Sequence, residues 1–470
     1  MTERRDAASP MQVLADLWSI GEGEPVAIER VTLTGADPAL PSSFCVGAAA
    51  QATIAAAGLA ATEVWRQRTR RGQAVAVDMR HAAVEFRSER YMRLDGKQPA
   101  PLWDRIAGAY ATGDGRKVRI HTNFPHHRDG ILKLLGCDYD RAAVQKALLK
   151  WQAETFESAA AEAGLVATMM RTPAEWAAHP QGRTVADLPL MEIMQIGEAP
   201  PARLPSQPER PLSGVRVLDL TRVIAGPVCG RALAAHGADV MRVTAPHLPG
   251  LHDLDIDMGR GKLSAAIDLR ATDDREWLRM LIREAHILVQ AYRPGALAAR
   301  GFSPEALAEM RPGIIVVTLS AYGHAGLWAR RRGFDSLVQN ACGINVAEAE
   351  AAGVPAPKEL PAQALDHAAG YLMAFGAQMA LKRKLSEGGS WHVRVSLAQT
   401  AHWLTGLGRL ANGFACAEPT GEEVAALSGA MATPFGELTF LTHAAVLSET
   451  PAAWTRPPVP LGTHAPVWPV

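Results

Sequence analysis

PLSGVRVLDLTRVIAGPVCGRALAAHGADVMRVT, residues 211–244, decides the fold. Val215 to Leu220 is an apolar run of strand length. Ala225-Gly226-Pro227 then turns the chain into a helix with proline at its first position, where a missing amide hydrogen costs nothing. Gly237-Ala238 breaks that helix and leads into a second strand, Asp239 to Val243, so the stretch reads as one unit of the βαβ kind. It does so without the glycine-rich fingerprint of dinucleotide-binding turns. The exposed amides at such a helix start suit a phosphate.

Outward from this unit the alternation continues. Strands are expected at 215–220, 239–243, 263–269, 286–292 and 314–320, and helices at 227–236, 273–284 and 304–311. Strands alternating with helices imply an α/β fold with an open, doubly wound, mostly parallel sheet. Upstream, Tyr110 to Ile120 (YATGDGRKVRI) reads as a hairpin around Asp114-Gly115, Arg128 to Leu135 begins a helix, and Trp151 to Met170 is an alanine-rich helical pattern. Residues 199–211 are proline-rich and make a linker.

One layout occurs twice. Ala57 to Glu85 and Phe375 to Trp403 each read as a small-residue helix with a basic end, a glycine turn, an alternating strand and another helix. The basic ends are Arg66 to Arg71, stopped by Gly72, and Lys382-Arg383-Lys384, stopped by Gly388-Gly389. Cations there favour the negative helix terminus.

Composition excludes several classes. The chain has 470 residues, with 48 Lys and Arg against 48 Asp and Glu, so no overall field draws it to nucleic acid or an anionic membrane. Phosphate binding, if present, is local. The five cysteines, Cys45, Cys137, Cys229, Cys342 and Cys416, are scattered without CxxC pairing, against both a disulfide framework and a zinc site, and a reducing cytoplasm is the natural setting. His121, His126 and His127 lack Cys or carboxylate neighbours at ligand spacing and read as surface or packing residues. The start, MTERRDAASP, is not followed by a secretory apolar core. The most lipid-like run, Cys45 to Thr62, is mostly Ala and Gly and reads as a packed soluble helix.

The 211–244 stretch resembles the opening of the family III CoA-transferases, the group containing formyl-CoA and carnitine CoA-transferases. Other pieces resemble the same family: RTPAEWAAHPQG at 171–182 and PLMEI at 189–193 its smaller domain, GRGKLSAAIDL and Tyr292-Arg293-Pro294-Gly295 two of its CoA-side turns, Asp366-His367-Ala368-Ala369-Gly370 its catalytic helix, and the stretch after Trp403 its extended closing segment. The order is rearranged, which implies permutation or fusion. The resemblance implies a Rossmann-like CoA-binding domain at 214–403 that contains the second repeat copy, and a smaller α+β domain at 96–198. Around them lie an N-terminal segment (1–45), the first copy (46–95), a linker (199–213) and a wrapping tail (404–470), with long crossing segments and a homodimeric assembly.

The family's nucleophilic aspartate stands at the position that matches Asp366. The resemblance implies attack of this carboxylate on an acyl-CoA, return of CoA to give an aspartyl thioester, and transfer of CoA to a carboxylic acid, with no tightly bound cofactor and with acyl-CoA as substrate. A carboxylate at a helix start is expected to be ionised by exposed amides and the helix dipole. The same residue also reads as a plain N-cap. Arg222, Val223, Ile224 and Ala225 match the loop along CoA; Lys262, Tyr292, Arg293 and, more weakly, Arg260 match its other contacts. Their alternative is a solvated surface charge, the usual fate of Lys and Arg. Copy one contains no acid over residues 38–62, the aligned position falling near Ala49, so it is not an equivalent site. Thr244, Leu263 and Ala291 depart from the family's usual residues, and Gly406, Gly408 and Gly413 make no glycine-rich loop. The related α-methylacyl-CoA racemases place a histidine where this chain has Phe334, which relays no proton. A non-catalytic CoA-binding protein is the reading from another class.

Overall fold

Seven strands form the central sheet of the computed structural model, which describes residues 7–469. In chain order they are β1 (Met191–Gly197), β2 (Arg216–Leu220), β3 (Asp239–Thr244), β4 (Lys262–Ala266), β5 (Ile287–Gln290), β6 (Ile315–Ser320) and β7 (Ser390–Ser396). They lie side by side as β4-β3-β2-β5-β6-β7-β1, every neighbouring pair parallel except β7 with β1. The near-continuous apolar runs of β2, β3 and β5 fit strands covered on both faces. Strand order reverses between β2 and β5, so the crevice outside their carboxyl ends is the natural ligand site of this open α/β sheet.

Two expected strands end early for local reasons. β5 stops at Gln290 because the Gln290 side chain accepts the Tyr292 amide at 3.0 Å and turns the chain. After β4, Asp268 accepts the Arg270 amide and guanidinium at 3.0 Å, which turns the chain before Leu269 can extend the ladder. The helical pattern at 151–170 is also broken: the helix is Ala153–Glu162, Gly164 takes the left-handed conformation (φ 70°), and Ala167–Met169 becomes a strand. That strand pairs with Lys117–Ile120, which pairs in turn with Gly108–Ala111, in a small antiparallel sheet with its own core of Val118, Ile131, Val144 and Phe156.

Three helices position the site: α1 (Val46–Thr69), α2 (Ala225–Ala235) and α3 (Ala364–Ser386). α1 and α3, the long helices of the two repeat copies, lie against each other through small residues. Gln378 donates to the Ala57 carbonyl at 3.0 Å and Gln67 to the Lys382 carbonyl at 3.2 Å. The whole Cys45–Thr62 run is buried in this packing, and among the described residues no helix is long and apolar enough to cross a membrane.

The copies are hooked together. Behind α1, Val75–Asp78 pairs parallel with Val31–Thr34 and antiparallel with Ala445–Leu447. Behind α3, β7 pairs parallel with β6 and antiparallel with β1. Each copy's strand is thus flanked by one parallel and one antiparallel strand, the antiparallel one coming from a segment distant in sequence. Residues 450–469 then run along the exposed edge of the large sheet. His464 donates its amide to the Ser264 carbonyl at 2.7 Å, and the Trp468 indole donates to the Leu281 carbonyl at 3.1 Å, covering an edge that would otherwise offer free ladder groups.

α3 meets α2 at a glycine. A Cβ on Gly370 would lie 2.5 Å from the Ala225 carbonyl oxygen and 2.7 Å from Val228 Cβ. Gly370→Ala is therefore expected to push α2 and its preceding loop off α3, at a cost of about 1–3 kcal/mol, measured as a lowered melting temperature.

Candidate active site

The loop between β2 and α2 begins with a buried ionic latch. Asp219, at the end of β2, accepts the Thr221 amide at 3.1 Å and the Lys262 ammonium at 2.7 Å, and Lys262 also donates to the Pro227 carbonyl at 2.8 Å. Lys262 therefore fastens the loop from behind and does not line the cavity in front. Lys262→Met leaves Asp219 buried without its counter-charge, with an expected loss of about 3–5 kcal/mol in denaturant unfolding. Within the latched loop Val223 has φ 73°, a left-handed conformation that costs a β-branched residue on the order of 1–3 kcal/mol and marks a backbone held by its surroundings.

In front of the loop, at the carboxyl ends of the strands, lies a cavity of about 640 Å³. Arg222, Val223, Ile224, Ala225, Tyr292 and Arg293 all line it, as does Asp366, so seven residues scattered over 145 positions of sequence meet in one place. Thr244 and Ala291 line it too; Leu263, Lys262 and Arg260 do not. Arg260 is fully buried instead, donating to the Asp257 carboxylate at 2.7 Å and lying over the Phe440 and Trp454 rings.

Charge in the cavity is one-sided. Arg222, Arg270, Arg293, Arg300, Arg331 and Arg332 line it, against two acids, Asp268 and Asp366. Asp268 is paired with Arg270 at 2.6 Å, and His247 lies 3.3 Å from it. The Asp366 carboxyl has no hydrogen bond or ion pair among the described residues. A cationic cavity at a topological switch point suits a polyphosphate ligand.

The ionisation of Asp366 departs from expectation. It is the third residue of α3, not its cap, and it is 7% exposed. The helix-start amides it was expected to use are taken by Asp335, which accepts the Leu365 amide at 2.8 Å and the Asp366 amide at 3.0 Å. Burial first, then the neighbouring carboxylates of Asp335 and Glu89, raise Asp366 well above the usual carboxylate range. Burial also raises Asp335, to about 7, against the downward pull of its backbone hydrogen bonds. Because Asp335 has amide donors and the Asp366 side chain has none, the shared negative charge rests on Asp335. His367 turns away from Asp366 and contacts Glu89 at 3.1 Å.

The small antiparallel domain closes the cavity from the other side. Phe124, His126 and His127 line it, beside Phe334 and with Arg222 stacked 4.9 Å above Phe124. His127 is 4% exposed, its Nδ1 has no hydrogen-bond partner among the described residues, and burial together with His126, Arg332 and Arg222 presses it down to about 3, so it is neutral at physiological pH. Sequence reading places these histidines on the surface or in packing; their approach to the site needs the crossing of the small domain onto the large sheet, which no local pattern announces.

Residues 212–435 match the family model described as CoA-transferase family III. This segment is similar to the family III CoA-transferases. Among similar proteins, an acetyl-coenzyme A transferase of Hypoxylon pulicicidum is 31% identical over 322 residues, 64% of this chain and 54% of the relative. A probable fatty acyl-CoA transferase of Mycobacterium tuberculosis is 32% identical over 213 residues, 42% of this chain and 52% of the relative. A crystal structure of a Mycobacterium tuberculosis protein is 30% identical, covers 43% of this chain and 59% of its own, and has a TM-score of 0.39. The chain thus spans a little over half the length of these curated relatives.

Proposed function

We propose that the cavity transfers coenzyme A from an acyl-CoA to a carboxylic acid through a covalent intermediate on Asp366. One observation carries the reading: Asp366 is the acid left without a counter-ion on the wall of a cationic cavity at the switch point of the sheet. In the proposed sequence an Asp366 oxygen attacks the thioester carbonyl; the C–O bond forms, the C–S bond breaks, and CoA leaves as thiolate. The thiolate then attacks the Asp366 carbonyl, releasing the donor acid and leaving an aspartyl thioester. An incoming carboxylate displaces the thiolate to form a second anhydride, and the thiolate returns to its acyl carbon, regenerating Asp366. Arg222, Arg293 and Arg300 would meet phosphates near the mouth, while Val223 to Ala225 and Tyr292 offer the apolar wall. Lys262 and Arg260 serve from behind, as supports. The five unpaired cysteines go with a reducing, cytoplasmic setting.

Proton transfer at the acyl α carbon is a poorer account. Phe334 relays no proton, and an imidazole held near 3, as His127 is, takes a proton from carbon weakly. A binding protein without turnover is separated by experiment. Acetyl-CoA and succinyl-CoA, each incubated with a panel of mono- and dicarboxylic acids, are expected to yield new thioesters by mass spectrometry. Calorimetric binding of CoA with no new thioester across the panel would contradict the transferase reading.

A further inference from the structure

Both long helices begin in the same way, and neither caps itself. Cys45 precedes α1 and Gln363 precedes α3, and neither side chain accepts a helix amide. An aspartate from an upstream segment does so instead. Asp335 takes the amides of Leu365 and Asp366, the second and third residues of α3. Asp37 takes those of Gly47 at 3.0 Å and Ala48 at 2.9 Å, the second and third residues of α1. The capping device is therefore common to both copies, whereas the third residue differs: an acid in α3, alanine in α1. The molecule carries its own control for what the cap does to a neighbouring carboxyl.

We propose that Asp335 is a positioning residue acting through Asp366: by occupying the helix-start amides with a second carboxylate, it holds Asp366 protonated in the empty site and sets the pH above which Asp366 attacks a thioester. The inference rests on the reading of Asp366 as nucleophile. Every charged group around the pair bears on it. Gln339 donates its amide to Asp335 from the same helix, and Glu359, paired with Arg119, lies beyond. From the N-terminal part comes Glu89, which contacts His367 at 3.1 Å and Arg90 at 3.6 Å. Across the cavity stand Arg222, Arg331, Arg332, His126 and His127. Among the described residues none of these cations bonds the Asp366 carboxyl, and the charges that act on it are the acids Asp335 and Glu89, both of which raise it. Asparagine at 335 retains an oxygen that can accept the same two amides, which separates the charge from the cap.

The test follows acetyl-CoA-dependent hydroxamate formation at Asp366, with hydroxylamine present, across pH in the full chain. Asp335→Asn is expected to lower the midpoint of the acid limb by about one pH unit or more, a gain of about tenfold in rate below the wild-type midpoint. Asp37→Asn is expected to leave the midpoint in place while changing the melting temperature as Asp335→Asn does. Gln339→Leu, which removes the amide that holds charge on Asp335, shifts the midpoint in the same direction and decides the matter if Asp335→Asn does not fold. Unshifted midpoints with a normal wild-type adduct overturn this inference alone; no wild-type adduct at any pH overturns the nucleophile reading and this inference with it.

Discussion

Asp366→Asn is expected to lower CoA transfer by at least about a thousandfold, since a reaction routed through a covalent intermediate loses its route with its nucleophile. The same substitution should raise stability at alkaline pH, and the sign follows from burial. The folded Asp366 carboxyl lies well above its unfolded value of about 3.9. Its protonated form contributes stability that is fully present below about pH 4 and is lost as pH rises through the folded value. The asparagine carries no such loss. The melting temperature of Asp366→Asn relative to wild type is therefore expected to climb between pH 5 and pH 9, by a few degrees. Loss of activity together with this gain excludes misfolding as the cause; full transfer activity in the variant contradicts the mechanism.

Deleting residues 1–95 is expected to abolish folding, although the stretch that matches the family III model begins only at residue 212. The deletion strips α1 from α3 and exposes Leu372, Phe375 and Met379, all buried in the intact molecule. It also removes Val75–Asp78, the ladder partner of Ala445–Leu447. Buried polar groups lose their partners at the same time: Glu85 bonds the Tyr371 hydroxyl at 2.7 Å and His443 at 3.1 Å, and Glu89 bonds His367. Each orphaned buried group costs about 1–3 kcal/mol, so a few of them exceed what a domain can spare. The expected result is an insoluble product, or a soluble one without a cooperative melt by near-ultraviolet circular dichroism. A soluble truncation that melts cooperatively would show that copy one is dispensable.

Much of the sheet was legible in the amino-acid sequence because parallel strands buried on both faces leave continuous apolar runs, and Pro227 and Gly237 punctuate the first helix between two of them. The loop at 222–225 and the turn at 292–293 were legible through their resemblance to family III CoA-side segments; both follow strand ends, where this fold builds its site. Lys262 was placed in the cavity by its match to a CoA-side turn of the family it resembles; its inward turn depends on Asp219, 43 residues away, which no local pattern couples to it. The upward shift of Asp366 was hidden in the same manner. A helix-start acid suggests stabilised charge, and only the fold reveals that Asp335 has taken the amides. His126, His127 and Arg332 reach the cavity by chain crossing, which sequence spacing does not encode.

The central claim is that Asp366 becomes acylated, or thioesterified by CoA, during turnover. Intact-protein and peptide mass spectrometry of the chain quenched with hydroxylamine during incubation with acetyl-CoA tests it directly. A hydroxamate confined to the peptide that carries Asp366, and lost in Asp366→Asn, is the predicted result. Turnover with an unmodified Asp366 peptide, or with modification elsewhere, contradicts it.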